Sequence, residues 1–172
     1  GDTVIFLPYI KALSKKFNSP ISLLVKESSK ANQFLFQTNY IDKILLLQRD
    51  KKTNNRHVGF FGSLNLITDI KKHKFDKIII FNSSLRYFLI AKFSNIPEIY
   101  QYPLFQKNQQ HIIDTPRKFM KDKFNLDVNE DPEIQINHEL ISQSSTKFQI
   151  NKNELNILLG IGGSGPTKRI PA

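Results

Sequence analysis

Cysteine is absent from this chain, so neither a disulfide framework nor a thiolate metal site can be part of it. Tryptophan is absent too, and methionine occurs once, at Met120. No apolar run approaches the roughly 20 residues needed to cross a bilayer; the longest, around 77–81, is a strand's length. No signal peptide is visible, which points to a cytoplasmic protein. Acidic residues are also scarce, 15 against 25 lysines and arginines, giving a net charge of +10. The lysines are scattered and accompany abundant Asn and Ile, with no base-stacking aromatic motif interleaved among them. We therefore expect a generally basic surface with no nucleic-acid partner, suited to a phosphorylated substrate or an anionic membrane surface.

What is present is a globular composition. Of the 172 residues, 40% are hydrophobic and 14 are phenylalanine, enough for a folded core. Strand-like and helix-like patterns alternate along the chain with short connections. A helix with Pro8 in its first turn follows Asp2 and Thr3, with Ile5, Leu7, Ile10, Leu13 and Phe17 on its apolar side. Strands are expected at 21–25, 43–47, 76–81 and 99–102, and helices at 28–36, 64–73, 85–94 and 117–124. Asn82, Ser83 and Ser84 are placed to cap the helix at 85. Segment 133–136 reads as a strand or an extended linker, followed by a helix over 138–148 and a strand over 156–159. Such alternation predicts an α/β, Rossmann-like, doubly wound parallel sheet with ligands at the carboxyl ends of the strands. The chain divides on this reading into a domain at 1–130 and, at 131–172, a linker with the start of a second α/β domain. It is expected to be truncated at both ends.

The densest signal lies at the C-terminal end. Asn156-Ile157-Leu158-Leu159 feeds a loop with Gly160, Gly162, Gly163 and Gly165, four of the seven glycines, and then Ser164, Thr167, Lys168 and Arg169. Glycines that let backbone N–H groups approach a ligand, next to a hydroxyl and two cations, make a phosphate cradle. Gly160, Gly162 and Gly165 satisfy the dinucleotide spacing, yet Pro166 and Pro171 stand where a helix should open. The Walker pattern fails because Pro166-Thr167-Lys168 replaces Gly-Lys-Ser/Thr.

These stretches together resemble glycosyltransferase family 9, the ADP-heptose:lipopolysaccharide heptosyltransferases. Gly1-Asp2-Thr3-Val4 with Leu7-Pro8-Tyr9-Ile10-Lys11-Ala12-Leu13 resembles the family's opening Gly-Asp and Pro-x-x-x-x-Leu. Phe75-Asp76-Lys77-Ile78-Ile79-Ile80 with Ser83-Ser84-Leu85-Arg86 is similar to its fourth strand and following helix. Gly163-Ser164-Gly165-Pro166-Thr167-Lys168-Arg169-Ile170-Pro171 resembles its donor-phosphate loop, with Ile170 where tryptophan is usual.

The resemblance implies the N-terminal half of a GT-B architecture, lacking its first strand. It also implies inverting transfer of heptose or a related sugar from a nucleotide-sugar, ADP-linked, to a lipid-linked glycan such as a lipopolysaccharide core. Asp2 matches the general-base position, Gly163, Ser164, Gly165 and Lys168 the donor-phosphate site, and Ser84, Arg86 and His111 the acceptor side. The expected location is the cytoplasm, peripheral on the inner membrane. No metal and no other cofactor is expected, and this fragment alone is expected to be inactive. Asp2 reads equally well as a helix N-cap, and Ser84 as a plain cap. His57, His73 and His138 have no spacing that assigns them a role. The alternative reading is a non-catalytic nucleotide- or phosphate-binding Rossmann module.

Overall fold

A computed structural model describes residues 2–49, 55–105, 111–151 and 153–157. The chain divides into two compact units, Gly1–Gln135 and Ile136–Ala172.

The first unit begins with a short helix, α1 (Asp2–Ile5), and then α2 (Leu7–Phe17). One continuous helix is the sequence expectation; the break at Phe6 follows from Pro8. Proline has no N–H for the Val4 carbonyl, and its ring crowds that carbonyl, so the helix restarts with Pro8 in its first turn. Asn18, in the left-handed conformation with φ 48°, closes α2, its N–H bonded back to Ser14 and Lys15. Then come β1 (Ile21–Lys26), a 3₁₀ turn at Glu27–Ser29, α3 (Ala31–Phe34) and β2 (Ile41–Leu47). Next are α4 (Gly59–Lys71), β3 (Lys77–Ile80), α5 (Leu85–Phe93), β4 (Glu98–Gln101) and α6 (Asp114–Phe124).

All strand pairing is parallel, in the registers Ile21↔Ile41 to Lys26↔Leu47 and Lys77↔Glu98 to Ile80↔Gln101. A single doubly wound sheet is the expectation. Among the described residues there are instead two two-stranded sheets, β1 with β2 and β3 with β4. Side chains join them. On one face α2 serves both, sending Leu7 and Ile10 into a cluster with Leu23 and Tyr40, and Tyr9 and Leu13 into one with Phe119, Met120 and Phe124. On the other face α4 and α5 place Leu66, Ile70 and Ile90 against Leu47, with Leu24 of β1 and Ile78 of β3 beside them. Strand alternation accounts for the sorting: Leu23 and Val25 face one way and Leu24 the other, as do Ile79 and Ile78. Helices thus cover both faces of the strand layer.

Helix α4 starts five residues before the expected 64. Gly59 and Gly62 make that first turn look like loop in the sequence, but each has a steric reason. Gly59 adopts φ 71°, and a Cβ at Gly62 would stand 2.3 Å from the His57 carbonyl carbon.

In the second unit, Asn137 caps α7 (His138–Lys147), its side-chain oxygen accepting the Leu140 N–H at 2.8 Å. Residues 133–136 carry no strand, and neither do 156 and 157; the rest of the expected last strand lies outside the described residues.

Leu66 is 2% exposed between α4 and the strands. Leu66→Ala should cost about 3 kcal/mol of unfolding free energy through the cavity it leaves, read as a lower urea midpoint with unchanged slope.

Candidate functional site

The carboxyl ends of the parallel strands are where an α/β layer offers loops and helix N-termini to a ligand. Here that edge is formed by the segment after β2, the turn from β3 into α5, and the end of β4.

After β2, His57 is anchored like a further strand residue: Gln48 N–H donates to His57 Nδ1 at 3.0 Å, and His57 N–H donates to Gln48 O at 2.9 Å. With Nδ1 accepting, the ring proton sits on Nε2, 3.2 Å from Asp69 Oδ2 on α4. Arg56 grips the same carboxylate with two bonds, Nε to Oδ2 at 3.0 Å and Nη2 to Oδ1 at 2.9 Å. Lys72 adds a third cation-side contact at 2.9 Å. The Arg56 guanidinium, with Lys72 and His57, holds the Asp69 carboxyl well below the usual carboxylate range, against a smaller opposing effect of burial. His57 is 4% exposed. It is a packed structural group, and sequence spacing could not reveal it because its partner sits on the next helix.

The turn from β3 is held from within. Asn82 Oδ1 accepts the Ser84 N–H at 2.8 Å, and Gln101 of β4 reaches across to Asn82 O at 2.7 Å and Ser84 O at 3.0 Å. Ser84 stands at the N-cap of α5, as expected, but its hydroxyl makes no capping bond. Arg86, in the first turn of α5, donates from Nη2 to the carbonyls of His57 (2.8 Å) and Gly59 (3.3 Å), which stitches α5 to the start of α4. Two polar atoms of this ledge are buried without a protein partner, Arg86 Nε and Gln101 Oε1. Buried polar atoms are rarely left unbonded, so water or a polar ligand is their natural complement. Asn82 reads from the sequence only as part of a helix cap, and Gln101 escaped the sequence reading, which had no way to see that β4 ends beside the β3 turn.

His111 stands just before α6. It is exposed, and its Nδ1 is 3.0 Å from Asp114 Oδ2 at the start of that helix. Asp2 is the first residue of α1, inside a helix rather than capping one; its side chain lies outside the described residues. Gly163, Ser164, Gly165 and Lys168 also lie outside the described residues, as do Lys51 and Lys52. The structure therefore brings together Ser84 and Arg86 with Asn82 and Gln101. Among the described residues no group of His, Asp and Glu could hold a metal ion, and no helix is long and apolar enough to cross a membrane.

The ledge can therefore offer neutral donors and acceptors and one half-buried cation, chemistry that suits a hydroxyl-rich ligand. This architecture occurs in a solved protein. The crystal structure of a glycosyl transferase family 9 protein from Veillonella parvula DSM 2008 matches with a TM-score of 0.72, over 99% of this chain and 53% of that one. The likeness is one of fold. Sequence identity is 19%, and this chain spans about half the length of that structure. No protein-family profile matches the sequence. No curated protein matches it either.

Two substitutions test how the ledge is built. Gly62→Ala forces a Cβ into the His57 backbone and should cost about 2 kcal/mol or more in chemical denaturation. Asp69→Asn should cost about 2 kcal/mol near neutral pH by weakening the four bonds that Arg56, Lys72 and His57 make to the carboxylate. A carboxyl with a depressed folded pKa stabilises the fold above its unfolded pKa of about 4, and loses that effect as pH falls through the folded value. The gap between wild type and Asp69→Asn should thus be constant above about pH 5 and close below about pH 4 in pH-dependent urea melts.

Proposed function

We propose that this chain is the acceptor-side half of a glycosyltransferase of the family 9 type, with the start of its donor domain, in a GT-B enzyme. The observation that carries the reading is the fold likeness to a glycosyl transferase family 9 structure over 99% of this chain. The motif runs at 1–13, 75–86 and 163–171 support it independently, in the order the family has them. The domain at 1–130 would bind the acceptor. The segment 131–172 would lead into the nucleotide-sugar domain.

In this reading the reaction is an inverting transfer of heptose or a related sugar, from an ADP-linked donor to a lipid-linked glycan such as a lipopolysaccharide core. Asp2 takes the proton from the acceptor hydroxyl as its oxygen attacks the anomeric carbon. The diphosphate leaves toward the N–H groups of Gly163 and Gly165, the Ser164 hydroxyl and the Lys168 ammonium, which offset the charge that develops. No metal is needed for that step. Ser84 and Arg86 belong to the acceptor ledge, where the unbonded Arg86 Nε and Gln101 Oε1 match a hydroxyl-rich partner. His111 is the weaker acceptor-side residue, since Asp114 already engages it. The protein would work in the cytoplasm at the inner membrane surface.

The test uses the full-length protein, a nucleotide-sugar panel and extracted lipid-linked glycan, with nucleoside diphosphate release as the readout. Asp2→Asn should lower kcat on the order of 10³-fold while nucleotide binding, followed by calorimetry, stays within about twofold. Nucleotide binding with no transfer to any acceptor would instead favour a non-catalytic nucleotide-binding module.

A further inference from the structure

Helix α5, Leu-Arg-Tyr-Phe-Leu-Ile-Ala-Lys-Phe, is apolar almost all round, the composition of a helix covered on every side. Its inner side is covered: Ile90 and Ala91 are buried. Its outer side is not. Leu85, Leu89 and Phe93 recur at i, i+4 and i+8, and Phe93 is 58% exposed. The neighbouring helix α4 repeats the arrangement, with Phe60 and Phe61 at 75% and 78% exposed and Leu64 one turn on. Phe60 and Phe61 touch edge to face, their centroids 5.8 Å apart, and have no other ring partner among the described residues. Since α4 and α5 lie side by side on one face of the strand layer, these six exposed apolar side chains lie on adjacent helices. Patches of this kind on a monomer mark interaction sites.

Charge selects the occupant. Between residues 55 and 95 there are seven lysines and arginines against two acids, Asp69 and Asp76, and the first of these is engaged by Arg56, Lys72 and His57. Lysine stands near the C-terminal end of each helix, Lys71 closing α4 and Lys92 just before Phe93 on α5. Two copies of this face would set cation against cation. An anionic bilayer is complementary to it. Phenylalanine and leucine enter the headgroup boundary, and lysines beside them reach the phosphates.

We propose that the outer face of α4 and α5 docks on an anionic phospholipid surface, with Phe60 and Phe61 as the inserted anchors. Both helices start at the carboxyl ends of β2 and β3, so docking there would present the Asn82–Gln101 ledge beside the lipid. The inference deepens the reading of a lipid-linked acceptor. Vesicle binding, however, is read with neither donor nor acceptor present, so either idea can fail without the other.

The experiment is cosedimentation of the purified protein with phosphatidylethanolamine vesicles, with and without phosphatidylglycerol. Binding should require phosphatidylglycerol and fall with salt. Phe60→Ser with Phe61→Ser should weaken it roughly tenfold or more, and Lys71→Gln or Lys92→Gln about fivefold each. Phe148→Ser, an equally exposed phenylalanine on the second unit, should leave binding unchanged. All these side chains are exposed, and far-UV circular dichroism checks that each variant folds. Equal binding to neutral vesicles, or indifference to the Phe60 and Phe61 changes, overturns the proposal. So does a dimer in sedimentation equilibrium that the same changes dissolve.

Discussion

Helix α2 is the element on which the first unit depends. The two strand pairs share no backbone ladder among the described residues, so burial must hold them in one layer. Leu7 and Ile10 lie in one cluster and Tyr9 and Leu13 in another, so a single helix contributes to the core under both pairs. Each such aliphatic side chain stabilises the unit by roughly 1.5–3 kcal/mol on full burial. Phe6, at the break before α2, reaches both clusters and packs its ring 4.9 Å from that of Phe81, directly after β3. The helix break imposed by Pro8 therefore sets where the end of β3 sits.

The candidate ledge inherits its position from that packing but is built with different forces. Between β2 and α4 and between β3 and α5, the backbone is held by side chains acting as ties: His57 to Gln48, Gln101 to the Asn82–Ser84 turn, Arg86 to the start of α4. The Asp69 carboxylate is the one acid against which the local cations are balanced. Its strongest partner, Arg56, reaches it from the chain just before His57, so the same contacts that fix the loop also remove a positive charge from the ligand's reach. Arg86 shows the same economy: one end of the guanidinium binds backbone, while Nε remains unbonded.

Much of this fold was legible from apolar periodicity. The strands at 21, 77 and 98 and the helices α5, α6 and α7 fall within three residues of where the pattern puts them. The errors share a cause: local pattern gave way to tertiary contact. Gly59 and Gly62 look like loop, yet both open α4: Gly59 takes φ 71°, and Gly62 leaves room for the His57 backbone that passes beside it. Asp2 looks like a cap, but it is the first residue of the short helix α1, which Pro8 separates from α2. The α/β class with parallel pairing holds, while among the described residues the strands form two pairs rather than one sheet, because alternation gives the order of elements and not which edges meet. At the site, Ser84 and Arg86 could be found from sequence since they follow a strand. Gln101 could not, its relation to Ser84 being purely spatial, and His57 looked like an isolated histidine until α4 brought Asp69 to it.

A consequence for chemistry follows from where the reactive groups fall. In the proposed transfer the base comes from residue 2, in the first unit, and the phosphate donors from 163–168, in the second. On that proposal neither unit would hold both the proton acceptor and the groups that stabilise the leaving diphosphate. The described ledge offers amides, hydroxyls and a partly engaged cation, which can orient a polyhydroxyl acceptor but cannot carry its oxygen through the transition state. A protein arranged this way separates recognition from chemistry: substitutions on the ledge should act mainly on acceptor KM, and those at Asp2 or Lys168 on kcat.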